Sequence, residues 1–188
     1  QAYAESMKKF LMICEQTESV LENMLTLSRV ESNNLPMNIE PVDIANVIQT
    51  TWQTLEAQAV AKNMSVSTSL SNAEIVLTDR EKVRLVVRNL IDNAICYGDQ
   101  SSTIVIEAQQ RSGKTIIRVS NRCSDLSGSE TELWFQRFWR KDEARSSTGT
   151  HCGIGLSLSR SVAKLVAGDL KASVNGNVVQ FEFSFPTN

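Results

Sequence analysis

The stretch RNLIDNAICYG, residues 88–98, places two asparagines four positions apart in an otherwise apolar helical pattern. Residues four apart are neighbours on a helix surface, so Asn89 and Asn93 are predicted to lie side by side. Asparagine is a poor residue for a helix interior, so the two amides need a reason. Amide oxygens are neutral, hard ligands that suit magnesium, which predicts a metal and phosphate site. The alternative is that both amides only hydrogen-bond to neighbouring loops.

The helix that carries these asparagines is predicted to begin at a capping box formed by Thr78 and Glu81. It is predicted to run to Tyr97 and to end at Gly98. Its apolar residues recur at three- and four-residue steps, which predicts one face against a sheet. The residues expected on that face are Val83, Val86, Val87, Leu90 and Ala94.

Residues 35–188 otherwise alternate between strand and helix patterns. Asp43 is predicted to cap a helix from Ile44 to about Lys62, with Val47, Ile48, Thr51, Leu55 and Ala59 facing inward. Strands are predicted within residues 37–43, 64–70, 74–78, 102–109, 115–121, 170–174 and 178–185. A type I′ turn is predicted at Asn175-Gly176. These patterns predict an α/β body with a mixed sheet, about three helices and one long irregular segment.

A second chemical signal is CGIGLSLSRSVAKLVAG, residues 152–168. Gly153 and Gly155 precede a helix that is predicted to run from Gly155 to Ala167 and to end at Gly168. The free N–H groups and the positive dipole end at such a start can bind an anion. The alternative is a flexible entry to a helix, without a ligand.

Residues 3–33 form one long predicted helix with a wide apolar stripe. The stripe consists of Met7, Phe10, Leu11, Cys14, Thr17, Leu21, Met24, Leu25 and Ser28. Such a helix is not stable alone in water, which predicts partner helices in a bundle. Because the chain begins within this helix, we expect the bundle to be completed by a longer protein and by a second copy.

Composition limits the classes of function. The formal net charge of the 188 residues is −2, whereas nucleic-acid-binding domains usually carry a basic stripe, so no nucleic-acid partner is expected. No apolar run approaches the roughly 20 residues of a membrane span. The cysteines lie far apart without a CxxC pair, which favours reduced thiols over a zinc site at Cys96, Cys123, His151 and Cys152.

The order of these parts resembles the catalytic and ATP-binding domain of bacterial sensor histidine kinases. RNLIDNAICYG is similar to the N box of that family, and LWFQRFWRKDEAR (residues 133–145) is similar to its F box. GIGLSLSRSVAKLVAGDLKASV (residues 153–174) is similar to the second glycine box with the helix and strand that follow. MLTLSRVES (residues 24–32) is similar to the end of the second helix of the dimerisation and histidine-phosphotransfer domain. Three boxes in the same order are jointly specific.

The resemblance implies an α+β fold, a two-layer α/β sandwich of the histidine-kinase ATPase type. Its mixed sheet would have about five strands and three helices, preceded by the long N-terminal helix. Residues 1–34 would be the partial dimerisation hairpin. Residues 35–188 would be the catalytic and ATP-binding domain, with a lid at about residues 126–152.

The resemblance also implies a site for ATP and Mg²⁺. Asn93 would ligate magnesium, Asn89 and the glycines would meet the phosphates, and Tyr97 would lie near the ribose or adenine. The full set of implied nucleotide-binding residues is Asn89, Asn93, Tyr97, Asn121, Arg137, Arg140, Gly153, Gly155 and Leu156. The γ-phosphate would pass to a histidine outside this chain and then to a response regulator receiver domain. The parent protein would be a homodimer through its helical bundle, with this part in the cytoplasm and an anchor in the bacterial inner membrane as an option.

The sequence departs from the family pattern in three places. Its one histidine, His151, lies beside the second glycine box, so the phosphoacceptor histidine is expected elsewhere in the parent. Where the family has Asp-x-Gly-x-Gly, this chain has Asn121, Cys123 and Asp125, which weakens the expected recognition of adenine. Cys96 replaces a basic residue that is common in the N box. The alternative function is therefore a non-catalytic module of the same fold, with weak or no nucleotide binding.

Overall fold

The computed structural model describes residues 2–32, 35–72, 75–124, 131–139 and 153–187. Helices and strands follow one another along the chain, and a 3-10 helix at Thr131–Phe135 lies between the fifth strand and the last helix. The helices and strands are α1 (Ala2–Glu31), β1 (Glu40–Asp43), α2 (Ile44–Ala61), β2 (Ser65–Asn72), β3 (Ile75–Thr78), α3 (Arg80–Tyr97), β4 (Thr103–Arg111), β5 (Lys114–Arg122), α4 (Gly155–Leu165), β6 (Asp169–Asn175) and β7 (Val178–Pro186).

Five strands form one mixed sheet in the order β2-β4-β5-β7-β6. Strand β2 runs parallel to β4, and the other neighbouring pairs are antiparallel. Helices α2, α3 and α4 contact this sheet through β2, β5, β6 and β7. The predicted α+β fold, with a mixed sheet of about five strands and three helices behind a long N-terminal helix, is confirmed. Strands β1 and β3 form a separate antiparallel pair, in which Pro41 lies opposite Leu77.

The apolar faces that the sequence predicts are the faces that the fold buries. The five residues predicted to line α3 (Val83, Val86, Val87, Leu90 and Ala94) are all 0% exposed. The inward residues predicted for α2 are buried as well. In β7, alternate residues are buried, so that its three phenylalanines enter the core while Gln180 and Glu182 do not. Burial of these faces supplies the main favourable term that holds α3 against the sheet.

The start of α3 differs from the predicted capping box. Asp79 caps the helix, and its Oδ1 accepts a hydrogen bond from the N–H of Lys82 at 3.1 Å. Thr78 is instead the last residue of β3. The predicted end of α3 is correct, since Gly98 follows Tyr97 as the C-cap. Gly98 has φ −69°, and an ideal Cβ there would collide with Ala94 O and come within 2.7 Å of Met64 Cε, so close packing explains the glycine.

Two boundaries in the C-terminal part are shifted from the prediction. Helix α4 ends at Leu165, not Ala167, because Ala167 has the left-handed φ of +52°. The last hairpin turns at Gly176-Asn177, not Asn175-Gly176. Of these two turn residues Gly176 has positive φ, at +60°, which fits a type II′ turn rather than type I′.

Helix α1 keeps most of its predicted apolar stripe in contact with solvent. Phe10, Leu11 and Leu25 are 61%, 55% and 58% exposed. Towards its C-terminal end the helix buries Leu27 and Val30 in the hydrophobic core, and α1 also contacts α4. The exposed stripe is the surface that the predicted bundle would cover, and the bundle itself stays a prediction.

Thr115 on β5 allows the cost of an unpaired buried hydroxyl to be measured. The residue is 0% exposed, and within the described part of the chain its Oγ1 is the buried side-chain atom that lacks a hydrogen-bond partner. We expect Thr115→Val to raise the free energy of unfolding by about 1 kcal/mol, because valine keeps the shape and removes the unsatisfied group. Urea unfolding followed by circular dichroism measures the change.

Thr51→Val is the matched control for this substitution. Thr51 is also buried, at 3% exposed, but its Oγ1 donates to Val47 O at 2.6 Å. Since that hydroxyl is satisfied, its removal is expected to give no gain in stability. Equal effects of the two substitutions would show that the missing partner of Thr115 is not the cause.

Candidate functional site

Asn89 joins α3 to the first turn of α4. Its Nδ2 donates to Gly155 O at 3.2 Å and to Ser159 Oγ at 2.9 Å. An ideal Cβ on Gly155 would lie 3.6 Å from Asn89 Oδ1, so the amide oxygen is beside the start of α4. Two regions that the sequence identified separately, the asparagine pair and the second glycine box, are therefore in direct contact.

Asn93 lies one turn further along α3 and is half-buried. Its Nδ2 donates to the backbone oxygen of Asn89 at 2.6 Å. This bond turns the amide nitrogen toward the helix backbone and leaves Oδ1 on the opposite side of the amide. An oxygen presented in this way is suited to accept a hydrogen bond or to ligate a hard cation.

The N-cap residue of α4 provides no side-chain hydrogen bond to the backbone N–H groups of the first turn. That residue is Ile154, which has no polar side-chain atom. The first intrahelical bond closes from Leu158 N to Ile154 O at 2.9 Å. The N–H groups of the preceding helical residues, Leu156 among them, lie ahead of that bond and carry the positive end of the helix dipole. This geometry is suited to an anion.

Gly153 lies close to the backbone of Phe138 and Trp139, in the segment that resembles the F box. Its oxygen accepts a hydrogen bond from Phe138 N at 2.9 Å. Gly153 has φ +69°, and an ideal Cβ there would lie 2.7 Å from Trp139 O. A side chain at this position would be both strained and too close to its neighbour, so the fold itself requires a glycine.

Part of the predicted lid is anchored to the body of the domain. Glu132 accepts hydrogen bonds from Arg160 of α4 at 2.7 and 3.3 Å, which lower the pKa of that carboxyl. The Arg160 guanidinium also lies 4.4 Å from the centre of the Phe135 ring, which is 7% exposed. The Trp134 ring packs at 6.0 Å from Phe181 of β7. Residues 131–135 are therefore an anchor within the predicted lid of 126–152, and the lid itself stays a prediction.

Several predicted residues fall outside the described part of the chain. These are Arg140, Asp125, His151 and Cys152. Arg137 is described and its side chain is exposed, close in sequence to the contact between Phe138 and Gly153.

The C-terminal end of α3 lies against the start of the segment where the family has Asp-x-Gly-x-Gly. Asn121 is 4% exposed, and its Nδ2 donates to Arg122 O at 3.2 Å and faces Gly98. The N–H of Asp99 donates to the same Arg122 oxygen at 2.9 Å. The side chain of Tyr97 is 52% exposed next to this corner. Because Tyr97 follows Asn89 by eight positions in the helix, the two ends of the site are about 12 Å apart along α3.

Asp99 and Lys62 support this corner, and sequence reasoning missed both. The Asp99 carboxylate accepts from Ser124 Oγ at 2.7 Å and Ser124 N at 2.9 Å, which lowers the pKa of Asp99. Lys62 Nζ donates to Ile95 O at 2.7 Å and Cys96 O at 2.6 Å, and so places a cation at the negative end of α3. These partners are far apart in sequence, and no local pattern identifies them. Ser159 was missed for the same reason.

The described residues contain no group of three or more His, Cys, Asp or Glu side chains that could hold a metal ion. A metal at this site would depend on an amide oxygen and on oxygens of the ligand or water. Magnesium is commonly bound in this way, through few protein ligands together with phosphates and waters. The orientation of Asn93 fits that requirement.

Comparison with known proteins identifies the family of this chain. Residues 78–188 match the family described as Histidine kinase-, DNA gyrase B-, and HSP90-like ATPase. The chain belongs to this family. The matched region begins at the end of β3 and includes helices α3 and α4 and the four strands β4 to β7.

Relatives with curated names are sensor histidine kinases, which confirms the predicted resemblance. The chain is 24% identical over 180 residues to "Sensor-like histidine kinase SenX3" of Mycolicibacterium smegmatis, covering 95% of this chain and 47% of that protein. It is 27% identical over 159 residues to "Sensor histidine kinase MtrB" of Mycolicibacterium paratuberculosis, covering 84% of this chain and 28% of that protein. The chain thus spans less than half the length of these two relatives.

Solved structures of similar fold are histidine kinases as well. The Acinetobacter baumannii histidine kinase AdeS has a TM-score of 0.82 at 23% identity, covering 97% of this chain and 84% of that one. Full-length ShkA in complex with AMPPNP has a TM-score of 0.75 at 17% identity, covering 90% of this chain and 36% of that one. ThkA in complex with the response regulator TrrA has a TM-score of 0.70 at 19% identity, covering 97% of this chain and 52% of that one. These similarities confirm the predicted fold. None of the described helices is long and apolar enough to cross a membrane.

Proposed function

We propose that this chain is the nucleotide-binding catalytic part of a sensor histidine kinase. It binds Mg-ATP along α3, between that helix and the start of α4, and supplies the γ-phosphate to a histidine outside this chain. The observation that carries the proposal is the contact of Asn89 with Gly155 and Ser159. Through this contact the helix assigned to the metal meets the helix end assigned to the phosphates.

Each group in the site has a role that follows from its chemistry. Asn93 Oδ1 is the protein ligand for magnesium, and the N–H groups of Gly155 and Leu156 donate to phosphate oxygens. Magnesium held by this oxygen would supply positive charge against the phosphates. Arg137 and Arg140 are the proposed cationic side chains that approach the phosphates. Tyr97 and Asn121 contact the ribose and the base.

The proposed partners follow from the same assignment. The exposed stripe of α1 would pack in a helical bundle with a second copy, and the acceptor histidine would lie in that bundle. The phosphate would then pass to a response regulator receiver domain. ThkA, which has a similar fold, was solved with such a regulator, and this supports the proposal. The nucleotide analogue bound to ShkA supports ATP as the ligand in the same way. We place this part of the protein in the cytoplasm, where ATP and receiver domains occur.

A second candidate function is a non-catalytic module of the same fold. It is favoured by Asn121, whose amide donates to Arg122 O and so is used in part to hold the backbone. It is also favoured by Cys123 and Asp125, which stand where the family pattern has glycines. Such a module would act through protein partners alone.

Calorimetric titration of this chain with ATP and magnesium tests the proposed function, with GTP as the comparison. Micromolar binding that requires magnesium and prefers ATP would support the kinase. No binding at millimolar nucleotide would reject it in favour of the non-catalytic module. Equal binding of both nucleotides would retain the phosphate site and reject Asn121 as the residue that reads the base.

Asn121→Asp is expected to separate base recognition from stability. A carboxylate accepts from the adenine amino group with charge assistance and repels the guanine oxygen, so the preference for ADP over GDP should rise about fivefold. The same change removes the hydrogen bond to Arg122 O and should lower the free energy of unfolding by about 1 kcal/mol. Calorimetry with both nucleotides and urea unfolding measure the two effects. If stability falls while the preference is unchanged, the base is read elsewhere.

A further inference from the structure

Asn89 and Asn93 carry the same amide group but are oriented by different parts of the molecule. Asn93 Nδ2 donates to the backbone oxygen of Asn89, within α3 itself. Asn89 Nδ2 donates instead to Gly155 O and Ser159 Oγ, both on α4. The orientation of the Asn89 amide therefore depends on α4, whereas that of Asn93 does not.

The contact with α4 determines which end of the Asn89 amide faces the site. The Gly155 carbonyl is an acceptor only, so this bond, at 3.2 Å, favours the orientation in which the Asn89 nitrogen faces α4. Asn89 Oδ1 then lies beside the first residue of α4, 3.6 Å from an ideal Cβ on Gly155. An acceptor is thereby placed next to the backbone donors of the helix start.

The hydroxyl of Ser159 is buried and has Asn89 as its hydrogen-bond partner. The residue is 0% exposed, and its Oγ accepts from Asn89 at 2.9 Å across 70 positions of sequence. A buried hydroxyl without a partner destabilises a fold, and Asn89 supplies the partner. In return, Ser159 gives Asn89 Nδ2 the shorter of its two hydrogen bonds to α4.

We propose that Ser159 is a positioning residue of the nucleotide site, which keeps Asn89 Oδ1 turned toward the magnesium-bound phosphates. This inference rests on the proposed function. Without the Ser159 hydroxyl, the amide keeps only its longer bond to α4, at 3.2 Å to Gly155 O, which holds the orientation less firmly, so the NH₂ group turns toward the ligand more often. A donor in that place favours bare phosphate and opposes a cation or its waters. Loss of the hydroxyl should therefore weaken binding that uses magnesium and leave magnesium-free binding nearly unchanged.

Ser159→Ala tests this role by calorimetric titration with ADP, once with magnesium and once with EDTA. We expect the Kd for ADP to rise about tenfold with magnesium and by less than about twofold with EDTA, as for the loss of one buried hydrogen bond. Ser161→Ala is the matched control on the same helix. Its Oγ donates to Ser157 O at 3.0 Å, so its hydrogen bond stays within α4, and both Kd values should be unchanged.

Ser159→Thr separates positioning from packing. Threonine keeps the hydroxyl but adds a methyl group to a fully buried position, so Tm should fall while the magnesium-dependent affinity is retained. If Ser159→Ala weakens binding equally with magnesium and with EDTA, or if Ser159→Thr loses affinity as alanine does, the positioning role is wrong. If the unmodified chain binds no nucleotide under either condition, the proposed function fails, and this inference fails with it.

Discussion

Asn93→Ala is expected to remove the magnesium dependence of nucleotide binding. Asn93 provides the amide oxygen assigned to the metal, and no cluster of acidic side chains within the described ranges can replace it. We expect the Kd for ADP with magnesium to rise about 100-fold, because loss of the ligand itself should cost at least the upper end of the range for residues that only orient a metal ligand. Calorimetry with magnesium and with EDTA measures the effect, and the EDTA value should change little.

Two further variants make the Asn93 result specific. Asn46→Ala removes an exposed amide of α2 that is not among the residues assigned to the site, and it should change neither Kd value. Asn93→Asp replaces the amide with a carboxylate, which still ligates magnesium but cannot donate to Asn89 O. It should retain magnesium-dependent binding and weaken binding in EDTA, because it adds a negative charge near the phosphates. A magnesium-dependent Kd that survives Asn93→Ala would remove the metal assignment while leaving the fold assignment intact.

Periodicity in the sequence was sufficient to predict which faces of the helices and strands are buried. The inward residues of α2 and α3 follow a helical repeat, and β7 follows a strict alternation, because each pattern is set within a few residues. The pairing of β1 with β3 was not predictable in the same way, since α2 and β2 lie between the two strands in sequence. A pattern that is local in sequence carries no information on such a partner.

In the site, too, residues with a local sequence pattern were predicted, and residues whose partners are distant in sequence were not. The sequence pointed to Asn89 and Gly155 as separate signals, and the resemblance to a known family joined them before the structure did. Ser159 and Lys62 gave no signal, because a buried serine in a helix and a lysine at a helix end are both ordinary in sequence. The partner of Ser159 is 70 positions away in sequence, and the two partners of Lys62 are 33 and 34 positions away. The choice of Thr78 over Asp79 as the cap failed because both residues can cap a helix and only the path of β3 decides between them.

Asp79→Ala is expected to have the largest effect on stability. Asp79 is 1% exposed and accepts from Asn38 N at 2.8 Å and from Lys82 N at 3.1 Å. It also pairs with Lys82 Nζ at 3.0 Å, and that ammonium group donates to Pro36 O at 2.8 Å. The pair thus fastens the segment before β1 to the start of α3. Removing the carboxylate leaves a largely buried cation and two N–H groups without their acceptor, so the free energy of unfolding should fall by about 3 kcal/mol.

Asp79→Asn and Asp43→Ala divide this effect into its parts. Asparagine still caps a helix but lacks the charge and the second oxygen, so its loss of stability should lie between those of the other two variants. Asp43 caps α2 through Asn46 N at 3.0 Å and is exposed, so Asp43→Ala should cost only about 1 kcal/mol. Urea unfolding of all three at neutral pH gives the comparison. If Asp79→Ala costs no more than Asp43→Ala, the buried ion pair adds nothing to the cap.

The pH dependence of stability provides an independent test of the Asp79 ion pair. Burial raises the pKa of Asp79, but the hydrogen bonds from Asn38 and Lys82 and the Lys82 charge lower it further, so the pKa lies below its ordinary value of 3.8. A carboxyl whose pKa is lower in the folded state binds protons more readily when unfolded, so its stabilisation is present above pH 3.8 and is lost as the pH falls through the folded value. The difference in unfolding free energy between the unmodified chain and Asp79→Asn should therefore shrink between about pH 6 and about pH 3. A difference that stays constant over this range would mean that the negative charge of Asp79 does not stabilise the fold.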